Sequence, residues 1–363
     1  MEKLRRLLNR IFIDGLSGMA LGLFSTLIIG TIIQQLGNLI GGTFGDTLFL
    51  IGKIAAALTG AGIGCGVAYK LKTSPLVLLS AATSGMIGAF ASKILLGGVM
   101  VSGTLGEMTL NQAILFVGPG EPLGAFVAAY VGIELGNFVS GKTQVDILVT
   151  PMVSIISGAF AGLFIGTPIS AFMTSLGYLI NWGTVQQPLL MGIIVSVLMG
   201  MILTLPISSA ALGISLSLSG LAAGAATIGC CCNMVGFAVA SFRENKVSGL
   251  VAQGIGTSML QVPNIVKKPV IWLPSIISSA ILGPIGTLIF HMENNATGSG
   301  MGTAGLVGQI MTWNTMLGTD GALLLLFKIL LMHFILPAVI TLIISEFMRK
   351  KGIIQYGDMQ LKL

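Results

Sequence analysis

His291-Met-Glu-Asn-Asn-Ala-Thr-Gly-Ser-Gly-Met-Gly-Thr-Ala-Gly-Leu-Val-Gly-Gln309 sets a histidine, a carboxylate, two amides and two threonines among closely spaced glycines. A long apolar run precedes it and another follows. Between two membrane spans, such a stretch is either an ordinary solvated loop or non-helical backbone lining a cavity that holds a polar solute. Which of the two it is decides how the rest of the chain is read.

The composition supports the membrane setting. Apolar residues make up 54% of the 363 positions and charged residues only 8%, against roughly a quarter charged in an ordinary soluble domain. The chain is therefore expected to be an all-α polytopic transmembrane protein, one membrane domain over 1–363 with no room for a separate soluble catalytic domain. Its 51 glycines fit close helix packing and broken helices. The net charge of +6 sits at the ends and in short loops, with Lys3, Arg5, Arg6 and Arg10 before the first span and Arg349, Lys350 and Lys351 after the last. By the positive-inside rule both termini are cytoplasmic. Once those loop charges are assigned no basic face is left, so a nucleic-acid partner is not expected. Cys65 and Cys230 to Cys232 lie in apolar surroundings and form neither a disulfide framework nor a zinc spacing. They read as small buried packing residues, and neither a metal nor a cofactor is expected.

Read in order, spans are expected over 12–35, 48–69, 75–96, about 121–140, 147–180, 188–205, 269–290 and 321–347, about eight in all. The segment 97–120 carries Glu107, ends in Gly118-Pro-Gly120, and is short enough to be re-entrant or interfacial. No charged residue occurs from Ile147 to Phe242. Because Lys142 and Arg243 both mark the cytoplasm, the crossings between them must be even in number. Residues 206–242 are too few for two crossings of about 20 residues each. They are expected to form a hairpin with Gly229-Cys-Cys-Cys-Asn233 near its tip. Val247 to Val266, bounded by lysines, is expected to be a further re-entrant or interfacial piece. That gives two or three hairpins, the kind of broken helix with which transporters present backbone dipoles at mid-membrane.

Ionisable and amide groups within such segments are functional candidates, because an unpaired one is costly to bury. Glu121, in Gly118-Pro-Gly-Glu-Pro122, starts a helix whose dipole favours a carboxylate. It is either a capping group or a ligand. Glu134 lies on a different face of the same helix and has no evident local partner. His291, Glu293, Asn294 and Asn295 carry the donors and acceptors needed to hold a polyol or sugar. Their alternative is a solvated loop. Asn233, Gln261 and Asn264 either ligate substrate or satisfy broken helix ends, as does Gln253. His333 reads as a hydrogen-bonded core histidine. No nucleophile arrangement, metal cluster or phosphate loop is present in the sequence.

Four motifs carry a resemblance: Gly141-Lys-Thr-Gln-Val-Asp-Ile-Leu-Val-Thr-Pro151, Thr204-Leu-Pro-Ile-Ser-Ser-Ala210, Gln253-Gly-Ile-Gly-Thr-Ser-Met-Leu-Gln-Val-Pro-Asn264 and Gly300-Met-Gly-Thr-Ala-Gly-Leu-Val-Gly-Gln309. Over nearly its whole length the chain resembles the EIIC-like membrane subunits of the bacterial phosphoenolpyruvate-dependent sugar phosphotransferase system, a family with relatives described as perfringolysin-type toxin regulators. The resemblance implies a multi-pass protein of the bacterial cell membrane, a homodimer with a scaffold part and a substrate-carrying part. It also implies translocation of a sugar or related polar solute, phosphorylated on the cytoplasmic side by soluble phosphocarrier subunits. No phosphoryl-accepting domain is recognised here, so those carriers are expected on separate chains. The Gly-Ile-Thr-Glu signature of glucose-type members is absent, and the nearest carboxylate motifs are Gly120-Glu-Pro122 and His291-Met-Glu293. Two other readings stand beside the permease. One is a membrane sensor that moves no solute, and the other is an ion-coupled transporter of a non-sugar solute.

Overall fold

The computed structural model describes residues 8–361 other than 106, 107, 117 and 320. Lys3, Arg5, Arg6 and Glu107 lie outside the described residues. The chain divides into two compact units, Met1–Phe172 and Met173–Leu363.

In the first unit, α1 (Arg10–Ile40) turns at Gly41 and Gly42, both with positive φ, into α2 (Gly42–Ala57). Helix α3 (Thr59–Lys70) follows after a 54° bend at the break between them. Helix α4 (Pro75–Ala89) leads to an antiparallel pair of strands, β1 (Met100–Leu105) and β2 (Met108–Ile114). These are followed by α5 (Pro122–Val139) and by α6 (Asp146–Thr184), which carries Pro151 and Pro168. Pro75 and Pro122 both stand in the first turn of their helices, where a missing N–H does no harm.

Glycine sets the helix packing here. Gly22 of α1 lies so close to Gly62 of α3 that a Cβ would overlap the Gly62 carbonyl oxygen, and Gly18 meets Gly66 one turn away. Gly30 and Gly52 repeat the arrangement between α1 and α2, as do Gly88 and Gly124 between α4 and α5. Small residues at such crossings bring backbones into van der Waals contact, the main attraction left between helices in lipid.

In the second unit, α7 (Pro188–Thr204), α9 (Pro269–Leu288) and α11 (Ala322–Lys350) surround α8 (Gly220–Ala240), and the shorter α10 (Val307–Met316) precedes α11. In α8, 89% of the apolar window is buried inside the protein, so this helix is the core of the unit. Gly229 of α8 abuts the Ser196 backbone of α7 with no room for a Cβ. Between α8 and α9 the chain runs as short pieces: Phe242–Val251, kinked at Lys246, a π turn Ala252–Gly256, a 3-10 turn Ser258–Gln261, and Val262–Lys267.

Among the described residues six helices are long and apolar enough to cross a membrane, or seven if the bent α2–α3 pair counts as one span, with α4 and α7 apolar but shorter. One expectation changes: Gly229 to Asn233 are not the tip of a hairpin, because α8 is continuous through them. The expectation leaned on charge parity, which loses its force where a helix is enclosed by protein. Within the segment 97–120, expected to be re-entrant or interfacial, residues 100–105 and 108–114 pair as two antiparallel strands, the exception among the described residues to an otherwise helical fold. Of the eight expected spans, 75–96 and 188–205 appear as the shorter apolar helices α4 and α7.

Candidate functional site

The loop that follows α9 is pinned residue by residue. Met292 donates its N–H to the Gly286 carbonyl at 2.8 Å and buries its side chain among Ile228, Leu282, Met316 and Met332. The missing side chain of Gly224 on α8 makes room for the Met292 carbonyl. Asn294 is buried, and its Nδ2 donates to Thr227 Oγ1 at 2.7 Å and to the Gly308 carbonyl at 3.1 Å. Its Oδ1 accepts the Asn295 N–H at 2.8 Å. Asn295 caps the turn Ala296–Ser299, accepting the Thr297 and Gly298 N–H groups, each at 3.1 Å. Both amides of the predicted cluster are thus spent on holding the loop.

Two groups of the loop are left to face outward. His291 is exposed and adopts φ +46°, a left-handed conformation unusual for a non-glycine residue. Glu293 is half-buried, with its N–H against Met316 Sδ at 3.3 Å. Among the described residues its carboxylate takes no hydrogen bond or ion pair. A carboxylate held between two buried anchors is pre-oriented to accept hydrogen bonds from hydroxyl groups.

The glycine-rich continuation wraps the middle of α8. Gly302 and Gly305 have positive φ, and so does Leu306 at +60°. Gly302 lies against Cys230, Gly308 against the Gly302 carbonyl, and Gly300 against the Ser209 backbone, where Ser209 Oγ donates to the Gly300 carbonyl at 2.6 Å. This half of the stretch is packed backbone, and a solvated loop is not what it forms.

The remaining candidates lie elsewhere. Asn233, at the centre of α8, has Nδ2 on the Gly229 carbonyl at 3.1 Å and on Ser279 Oγ at 3.4 Å. Its Oδ1 accepts Trp272 Nε1–H at 2.8 Å and the Thr204 hydroxyl at 3.2 Å. Gln261 Nε2 donates to Gln253 Oε1 at 2.8 Å and to the Met359 carbonyl at 2.9 Å, while its Oε1 accepts from Asn264 Nδ2 at 2.8 Å. Asn264 also donates to the Gln360 carbonyl at 3.0 Å. Asn245 completes this clasp, donating to the Met359 carbonyl at 2.9 Å and accepting the Leu361 N–H at 2.8 Å. Gln261 and Asn264 therefore read the backbone of the C-terminal segment. Glu121 belongs to the first unit; it precedes α5 in extended conformation, its N–H on the Ala89 carbonyl at 2.8 Å.

Asp358 carries a pH-sensitive part of the clasp. Its carboxylate meets Lys268 Nζ at 2.6 Å and the Gln355 N–H at 2.6 Å. Burial pushes its pKa up, but the Lys268 and Gln355 hydrogen bonds and the charges of Lys268 and Arg349 outweigh it and hold the group below the usual carboxylate value.

Three pairings were not legible in the sequence: Arg10 with Glu134 at 2.7 Å, the buried Arg349 with Glu244 at 2.8 Å, and Gln309 with His333 at 3.2 Å. Each joins residues far apart in the chain. The only local signal is a polar residue in an apolar helix.

The sequence model of the family described as "Phosphotransferase system, EIIC" matches residues 13–361. No curated protein matches the chain.

Proposed function

We infer what this protein does from its family: the chain belongs to the EIIC membrane subunits of the phosphotransferase system. It translocates sugar as the permease subunit of such a system, working with the partner subunits that supply the phosphoryl group. The match over 13–361 is the observation that carries this reading, because it takes in every membrane-length helix from α1 to α11.

On that basis Glu293 is the main hydroxyl acceptor for the sugar, with His291 beside it in sequence as a second contact. The support is chemical: a half-buried carboxylate without an internal partner, on a loop fixed at Met292 and Asn294. Asn294, Asn295, Asn233, Gln261 and Asn264 act as framework, since their amides are already engaged within the protein. Glu121 is a separate candidate contact of the first unit, favoured by its place ahead of α5. Both termini lie on the cytoplasmic side of a bacterial cell membrane in this reading, which the basic ends of the chain support. We further propose a homodimer, to be checked by light scattering in detergent.

Uptake into proteoliposomes tests the function. A panel of labelled sugars is offered with and without a complete set of phosphocarrier proteins and phosphoenolpyruvate. Accumulation of a phosphorylated sugar only with the carriers is expected. Uptake driven by an ion gradient without carriers, or no uptake of any sugar, contradicts the reading.

A further inference from the structure

In the second unit, Gln309 Oε1, His333 Nε2, Thr341 Oγ1, Ser345 Oγ, Arg349 Nε and Glu244 Oε2 are all buried and lack a hydrogen-bond partner among the described residues. Ser278 Oγ and Thr312 Oγ1 are unpaired there as well, and the first six lie on α11 or against its residues. His333, Thr341 and Ser345 lie on the buried stripe of α11, and Arg349 follows one turn on. That stripe looks onto α8. Gln309, beside His333, donates to Cys231 Sγ at 3.4 Å. Thr341 lies over the bare Cα of Gly236, where a Cβ would stand 2.8 Å from its hydroxyl. Arg349 reaches the Ala240 carbonyl at 2.9 Å and Glu244 Oε1 at 2.8 Å. The seam between α8 and α11 thus carries a polar group at nearly every turn.

The hydroxyls are aimed off their own helix. A helical serine or threonine ordinarily returns its hydrogen to the carbonyl four residues back, as Thr227, Ser279 and Ser80 do here. Thr341 and Ser345 do not. At His333 the helix opens into a π turn, Leu331–Ile335, a local widening that often marks a functional position. The His333 and Gln309 pair is short of partners in either amide orientation. With Gln309 Nε2 donating to Nδ1, the ring carries its proton on Nε2, a donor, and Gln309 Oε1 is an unused acceptor. Turning the amide over exchanges the roles and still leaves one polar atom on each residue unpaired. Water is the small ligand that both donates and accepts, and buried polar groups of this kind are what it binds inside proteins.

We propose that the α8–α11 seam is an internal water-binding file, with its inner station at His333 and Gln309, its middle at Thr341 and Ser345, and its end at the Glu244–Arg349 pair. Hydrogen bonds to water exchange readily, so such a file gives α11 a face along which it can shift against α8 without breaking a dry interlock.

Radiolytic hydroxyl-radical footprinting of the full chain in nanodiscs tests the proposal, because internally bound water generates the radical in place. Relative to intrinsic reactivity, Cys231 and His333 are expected to be oxidised severalfold faster than Met19 and Met199, which are as deeply buried but lie off the seam. Equal protection of the two sets overturns the file. Thr341→Val gives a second readout of opposite sign. In a dry seam it removes an unpaired buried hydroxyl and raises Tm. In a wet seam it removes a water station, so Tm is expected to stay level or fall and His333 labelling to drop. A rise in Tm with labelling unchanged contradicts the proposal.

Discussion

Both units hold helices together, where water offers no hydrophobic drive, through glycines that bring backbone against backbone, and the second adds a different chemistry. In the first, glycines on α1, α2 and α3 bring backbone against backbone, and the ion pair of Arg10 with Glu134 is half-exposed. In the second, a fully enclosed helix is tied to its neighbours by amides and hydroxyls whose hydrogen bonds stay inside the protein. Close packing depends on shape alone, whereas a polar knot depends on every member being satisfied. The second arrangement therefore has more to lose from a single atom, and it leaves conspicuous any polar group that is not tied down. Glu293 is such a group.

Cutting the knot should have the largest effect. Asn233→Ala strands the Trp272 N–H in the core, takes one of three partners from the Thr204 hydroxyl and opens a cavity; a loss of about 3 kcal/mol is expected, read as Tm in detergent. A loss below about 1 kcal/mol would mean that water replaces the amide, and the contrast between the units would weaken. Gly22→Ala should come next, at about 2 kcal/mol, because α1 and α3 must separate to admit one methyl group. If that variant is as stable as the parent, glycine contact is not what holds the first unit.

The smallest effect is at the C-terminal clasp. Because Asp358 has a depressed pKa in the folded protein, its contribution is fully present above the ordinary carboxylate value and is lost as pH falls through the lower folded one. The pair with Lys268 is partly exposed and contributes no more than about 1 kcal/mol. Amide exchange in 354–361, taken relative to the intrinsic rate at each pH, should accelerate in acid, with little change in Tm. Lys268→Met should raise exchange at neutral pH and flatten its acid dependence. An acid dependence unaltered in that variant would assign the effect to another group.

Much of the architecture could be read from hydropathy. The runs around 12–35, 269–290 and 321–347 all appear as long helices. What hydropathy misjudged was α8, where charge-free flanks and small residues suit a hairpin and an enclosed helix equally well. The stretch from His291 to Gln309 was legible as important, but not how the roles divide among His291 to Asn295. Only three dimensions tell that Asn294 and Asn295 spend their amides inward while Glu293, between Met292 and Asn294, does not. Side-chain amides look alike in sequence whether they bind substrate or backbone. Asn233, Gln261 and Asn264 belong to the second kind of environment, and their partners lie tens of residues away.

The central claim, that a sugar is read by the one uncommitted carboxylate of a rigid loop, is tested most directly by calorimetric titration of Glu293→Ala with the sugar identified by uptake. A charged hydrogen bond to a hydroxyl contributes about 1.5–3 kcal/mol, so affinity should fall about ten- to a hundredfold while stability stays within about 0.5 kcal/mol of the parent. Affinity equal to that of the parent protein would contradict the account, and so would a loss of affinity that merely tracks a loss of fold.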